Sequence, residues 1–145
     1  MTITPPEFTF QVLLVDDNED DVFLTTEAFQ EANVNAEIIV HRDGVDALAF
    51  LHDKTQKKPH LILLDLNMPR KDGRETLAEL KSDPDLKNIP VVILTTSDSE
   101  SDIEQAYNLH ANSFITKPIN FDEFVISVKN LKAFWFKTVK LPPVK

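Results

Sequence analysis

"LILLDLNMPRKDG", residues 61–73, decides the fold. Four aliphatic residues, Leu61 to Leu64, run unbroken into a carboxylate, Asp65; Asn67 follows, then a Pro-bearing turn from Met68 to Gly73. A continuous apolar run of this length, rather than an alternating one, suits a strand covered on both faces. The acid therefore leaves the core at one edge of a buried sheet.

Four similar runs flank it: "VLLV" (12–15), "EIIV" (37–40), "VVIL" (91–94) and "SFIT" (113–116). Between and after them come segments with helical spacing. The first holds Phe23, Leu24, Ala28 and Phe29, the second Val45, Leu48, Ala49 and Leu51, and the third Leu77 and Leu80. The fourth holds Ile103, Ala106, Tyr107 and Leu109, and the fifth Phe121, Phe124, Val125, Val128, Leu131 and Trp135. Strand followed by helix, five times over, predicts an α/β fold with a parallel sheet, helices on both faces and right-handed crossovers. Asp72 with Glu75, Ser101 with Glu104 and Asn120 with Glu123 have capping-box spacing at helix starts.

The length of 145 residues fits one domain, 1–145, with a linker-like N-terminal tail (1–9) and an extended last helix and tail (121–145). A formal net charge of −9 repels a phosphate backbone and argues against direct nucleic-acid binding. The chain has no cysteine, which removes disulfides, thiol catalysis and cysteine-zinc sites together. No basic leader with an apolar core and no membrane-length apolar run is present, so a cytoplasmic location is expected.

The polar residues that follow the strands form a set. The first strand ends in Asp16-Asp17, the third in Asp65, the fourth in Thr95-Thr96 and the fifth in Lys117-Pro118. Open parallel sheets bind ligands at the carboxyl edge where strand order reverses, so neighbouring first and third strands bring Asp16, Asp17 and Asp65 together. Three carboxylates in one pocket repel one another unless something positive joins them. A hard divalent cation, magnesium first, with manganese or calcium able to replace it in a crystal, is the natural occupant. An acid, a cation, an ammonium and a hydroxyl make a phosphoryl-handling set, and a carboxylate can accept the group as an acyl phosphate.

The motifs "VDD" (15–17), "LLDLNMPRKDG" (63–73), "VILTTS" (92–97) and "TKP" (116–118), in this order, resemble the receiver domain of bacterial two-component response regulators. That resemblance implies a flavodoxin-like (βα)5 fold of strand order 2-1-3-4-5. It implies Asp65 as phosphoacceptor and Asp17, Asp16 and the backbone carbonyl of Asn67 as further members of the metal site. It implies Thr95, with Thr96 beside it, at the phosphoryl group, Lys117 paired with that group, Phe114 as the aromatic switch residue, and a cis bond before Pro118.

A narrower resemblance, over "HRDGVDALAFL" (41–51), "DGRETLAELKSDPDLKNIPVVILTTS" (72–97) and "FWFKTVKLP" (134–142), is to stand-alone regulators paired with bacterial phytochrome kinases. The implied partner is a histidine kinase or histidine phosphotransfer protein, in this subgroup a phytochrome. Leu131, Phe134, Trp135, Phe136, Val139 and Leu141 exceed what one sheet face needs; core packing takes some of them, with Leu131 and Trp135 at the four-residue spacing that suits it. The remainder forms an exposed apolar patch that, with Tyr107 as a further interface candidate, predicts a homodimer.

Other residues read more plainly. Glu19, Asp20 and Asp21 suit an acidic first helical turn. His41, His52, His60 and His110 have no ligand spacing and read as surface or satisfied residues. Gly44 and Gly73 are too far apart for a phosphate-cradling loop and serve turns or helix starts. Two rival functions stay open. A haloacid-dehalogenase-type phosphatase also uses a strand-end aspartate, but its second acid is replaced here by Asn67, and the chain is short of a cap. A receiver-like module that binds a partner without phosphate is the other.

Overall fold

The computed structural model describes residues 9–66, 68, 71–95, 104, 113–116 and 120–137; for Thr95, Ser113, Phe114, Thr116 and 134–137 it describes the backbone alone. Five strands, β1 (Phe10–Val15), β2 (Ala36–His41), β3 (Leu61–Asp65), β4 (Val91–Thr95) and β5 (Ser113–Thr116), form one parallel sheet of order β2-β1-β3-β4-β5. Among the described residues the helices are α1 (Glu19–Glu31), α2 (Gly44–His52), α3 (Gly73–Ser82) and α4 (Phe121–Lys137). The helical segment expected between β4 and β5 lies outside the described residues, apart from Glu104, which is helical.

Burial explains the strand pattern. Every residue of β3 is buried, as its unbroken apolar run requires, whereas β2 at the sheet edge is only partly covered. Side chains alternate between two cores. Leu13, Val15, Ile62, Leu64 and Ile93 point to one face, where Leu48, Leu51, Leu77 and Leu80 of α2 and α3 cover them. Val12, Leu14, Leu61, Leu63, Val92 and Leu94 point to the other, under Ala28 and Phe29 of α1 and Phe124, Val125 and Val128 of α4. At roughly 1.5–3 kcal/mol for each fully buried aliphatic side chain, these two layers are the main stabilising term.

Caps set the helix starts. Asn18 Oδ1 accepts from the backbone N–H groups of Asp20 and Asp21 at 2.9 and 3.2 Å, which fixes α1 three residues beyond Asp16. Asp43, Asp72 and Asn120 do the same for α2, α3 and α4 through the amides of Asp46, Glu75 and Glu123. The last two are the capping positions expected from sequence; Ser101 lies outside the described residues. At the far end of α1, Asn33 takes a left-handed conformation at φ 60°, and Lys132 of α4 donates to its carbonyl at 2.9 Å.

Candidate functional site

The β1–β3 ladder places the two buried acids. Val15 pairs with Leu64, so one step further along the strands Asp16 and Asp65 come side by side, with the parity of Leu14 and Leu63. Asp16 is 0% exposed and Asp65 4%, while Asp17, just past the strand end, is exposed. One carboxylate oxygen from each lies within 4.8 Å of those from the other two. Among the described residues no other group of three metal-ligating side chains is so close.

This donor set fits a hard divalent cation. Oxygens sharing one magnesium at ~2.1 Å stand up to ~4.2 Å apart, so small side-chain rotations bring the three acids to coordination distance. The backbone prepares the site: the Asn18 N–H donates to Asp16 Oδ1 at 2.9 Å, and the Asp16 N–H to the His41 carbonyl at 3.0 Å. The first fixes the carboxylate; the second holds the β1 end against β2.

The turn after Asp65 is tied on several sides. Leu66, fully buried, donates its N–H to the Leu94 carbonyl at 3.1 Å, and its own carbonyl accepts from the Gly73 N–H at 2.9 Å. Met68 packs against the core, and the Lys71 ammonium meets Glu79 at 2.6 Å.

On the next strand Leu94 pairs with Asp65, which puts the Thr95 backbone one step beyond, and Thr95 in turn pairs with Thr116. The backbone of Phe114 lies in β5 opposite Ile93. Asn67, Thr96, Lys117, Pro118, Tyr107, Val139 and Leu141 lie outside the described residues, as do the side chains of Phe114, Phe134, Trp135 and Phe136. Leu131 is partly buried against the α1–α4 core.

The sequence pattern of the response regulator receiver domain matches residues 12–129. The chain belongs to the response regulator receiver domain family. Response regulator Rcp1 of Synechocystis sp. is 46% identical over 135 residues, which span 90% of this receiver and 92% of that protein. The solved structure of the phosphorylated cyanobacterial phytochrome response regulator RcpA superposes with a TM-score of 0.81 at 46% identity, over 94% of this chain and 100% of that one. The Mn(2+)-bound form of response regulator Rcp1 does so with a TM-score of 0.79 at 45% identity, over 92% and 99%. The function is that of a phosphoryl-accepting signalling domain, and its acidic cluster suits the divalent cation that such receivers bind.

Two features of this receiver escape the sequence reading. Asp21 lies in the acidic first turn as expected, but it is 7% exposed and turns inward, because it shares the inner face of α1 with Thr25, Ala28 and Phe29. Gly44 and Gly73 take ordinary negative φ, so their value is the absence of a side chain at close approach, which no spacing rule signals. His60, expected as a surface or satisfied residue, is satisfied: its Nδ1 accepts from the Gln11 N–H at 2.9 Å while its backbone N–H donates to the Gln11 carbonyl at 2.8 Å. Burial pushes the His60 imidazole and the Lys81 ammonium below their ordinary pKa values, both away from the acidic cluster.

Proposed function

We propose that the chain is a stand-alone response regulator, one domain over 1–145, that accepts a phosphoryl group on Asp65 from a phosphohistidine of a kinase or phosphotransfer protein. The observation that carries this reading is the convergence of Asp16, Asp17 and Asp65 at the carboxyl edge of adjacent strands. An Asp65 carboxylate oxygen attacks phosphorus, the P–N bond breaks, and its electron pair returns to the imidazole nitrogen, leaving an acyl phosphate. A divalent cation held by Asp16, Asp17, Asp65 and the Asn67 carbonyl supplies charge neutralisation for the transferred group. The Thr95 hydroxyl, with Thr96 beside it, and the Lys117 ammonium bind the phosphoryl oxygens, and Phe114 turns with Thr95 to change the outer surface. Water attack on phosphorus, in the same pocket, returns the carboxylate and ends the signal.

The relatives named for phytochrome signalling support a phytochrome kinase as donor. The apolar residues Leu131, Phe134, Trp135, Phe136, Val139 and Leu141, with Tyr107, form a homodimer surface through which the output is read. No helix among the described residues is long and apolar enough to cross a membrane, which suits a cytoplasmic partner of such a kinase.

The test is to incubate wild type and Asp65→Asn with acetyl phosphate, with and without magnesium, and to weigh the intact proteins. Only wild type with magnesium should gain one phosphoryl group. No gain under any condition, with no phosphate released, would leave a phosphate-independent binding module; steady phosphate release without an adduct would favour the phosphatase.

A further inference from the structure

The turn that follows Asp65 is also held from a distant part of the sequence. Gly44, the first residue of α2, is buried and donates its N–H to the Lys71 carbonyl at 3.2 Å. A Cβ on Gly44 would lie 2.0 Å from Thr76 Oγ1 and 2.9 Å from the Lys71 carbonyl oxygen. Its φ is negative, so the backbone conformation itself does not demand glycine. The closeness does.

Thr76 cannot readily swing aside. It is fully buried in the first turn of α3, and its hydroxyl donates to the Asp72 carbonyl at 2.8 Å. The Lys71 carbonyl is fixed in turn, because the Gly73 N–H closes the same turn onto Leu66 at 2.9 Å. Gly44 thus touches both the turn and the helix it feeds. Any side chain there must push Lys71 and Asp72 away from α2, and Gly73, which follows them, is hydrogen-bonded to Leu66 beside Asp65.

We propose that Gly44 is a positioning residue for the cation site: the Gly44–Lys71–Thr76 latch sets where the start of α3, through Gly73 and Leu66, holds the strand end that carries Asp65. This rests on the reading of Asp16, Asp17 and Asp65 as the cation and phosphoryl site. Groups that orient metal ligands without touching the metal typically change affinity by about 10- to 100-fold when altered. Linkage makes the effect reciprocal, so cation binding must tighten the latch.

Two measurements test this. The first titrates magnesium into wild type, Gly44→Ala, Thr76→Ala and the double variant, each confirmed folded, and follows amide chemical shifts. Gly44→Ala should weaken magnesium about tenfold, and adding Thr76→Ala should restore part of the loss, because the crowded Oγ1 is gone while the contact with the Lys71 carbonyl remains. The second needs no variant: hydrogen exchange at the Gly44 and Gly73 amides of wild type, with and without magnesium, should slow when the ion binds. Wild type without saturable magnesium binding would sink the functional reading itself. Wild type that binds magnesium, with Gly44 exchange unchanged or with a folded Gly44→Ala of equal affinity, would sink the latch alone.

Discussion

Gly73 stands against the strand end that carries Asp65: a Cβ on Gly73 would lie 2.3 Å from the Asp65 carbonyl oxygen and 2.6 Å from Leu66 Cα. Both neighbours are backbone, so neither can rotate out of the way. Gly73→Ala must displace the start of α3 or the end of β3. The expected cost is about 1–3 kcal/mol, the usual range for overpacking, read from urea denaturation. Phosphoryl uptake from acetyl phosphate should fall as well, since the displaced strand end holds the acceptor.

Asn18 joins fold and site. Its side chain caps α1 through the Asp20 and Asp21 amides, and its own N–H donates to Asp16. Asn18→Ala keeps the backbone donor and loses the cap, so stability should drop by about 1 kcal/mol. Asn18→Asp should retain nearly all of it. Thermal melts of the three proteins give the comparison.

How far the sequence could be read depends on the range of the interaction. The unbroken run at Leu61–Leu64 marked a buried central strand, and the convergence of Asp16 and Asp65 followed because neighbouring parallel strands end together. Capping at Asp72 and Asn120 was equally local, a side chain reaching the amide three residues on. The inward turn of Asp21 was not legible, because the first turn of any helix favours acids whichever way they face. Nor was the role of Gly44, which depends on Lys71 and Thr76 in another βα unit. Composition names a glycine; only packing says what would replace its missing atom.

Leu64 precedes the acceptor and is fully buried between β1 and β4 on the α2–α3 face. Neighbours on a central strand cannot collapse into the space that truncation leaves. Leu64→Ala should cost about 2–5 kcal/mol, measured by chemical denaturation. A value under ~1 kcal/mol would mean that β3 is not the rigid centre of the sheet.

His60 gives the sheet's amino end a pH dependence. Nδ1 must be unprotonated to accept from Gln11, and burial holds the imidazole below its ordinary 6.5. The unfolded chain then binds the proton more readily than the folded one. The stabilisation is complete above the unfolded value and is lost as pH falls through the lower folded value. His60→Asn offers an acceptor oxygen near the Nδ1 position and does not titrate. From about pH 7 to about pH 5, wild type should lose stability relative to this variant; parallel curves would show that His60 stays neutral or does not matter.

Asp65→Asn should stabilise the protein in chelator, by a margin that a divalent cation narrows or reverses. In chelator, the substitution removes one of three carboxylates that each bring one oxygen within 4.8 Å of the others, two of them buried. Relief of that repulsion should raise stability by roughly 1–3 kcal/mol, an amount consistent with like charges at this separation in a partly solvated site. With magnesium at about 100 times its dissociation constant, wild type gains ~2.7 kcal/mol because only the folded form binds. The variant, with one charged ligand fewer, gains less. Melting both proteins in chelator and in magnesium should therefore narrow or reverse the gap between them. If Asp65→Asn were the less stable protein in both, the carboxylate would be acting as a structural hydrogen-bond acceptor, and repulsion would not be what readies this pocket for a cation.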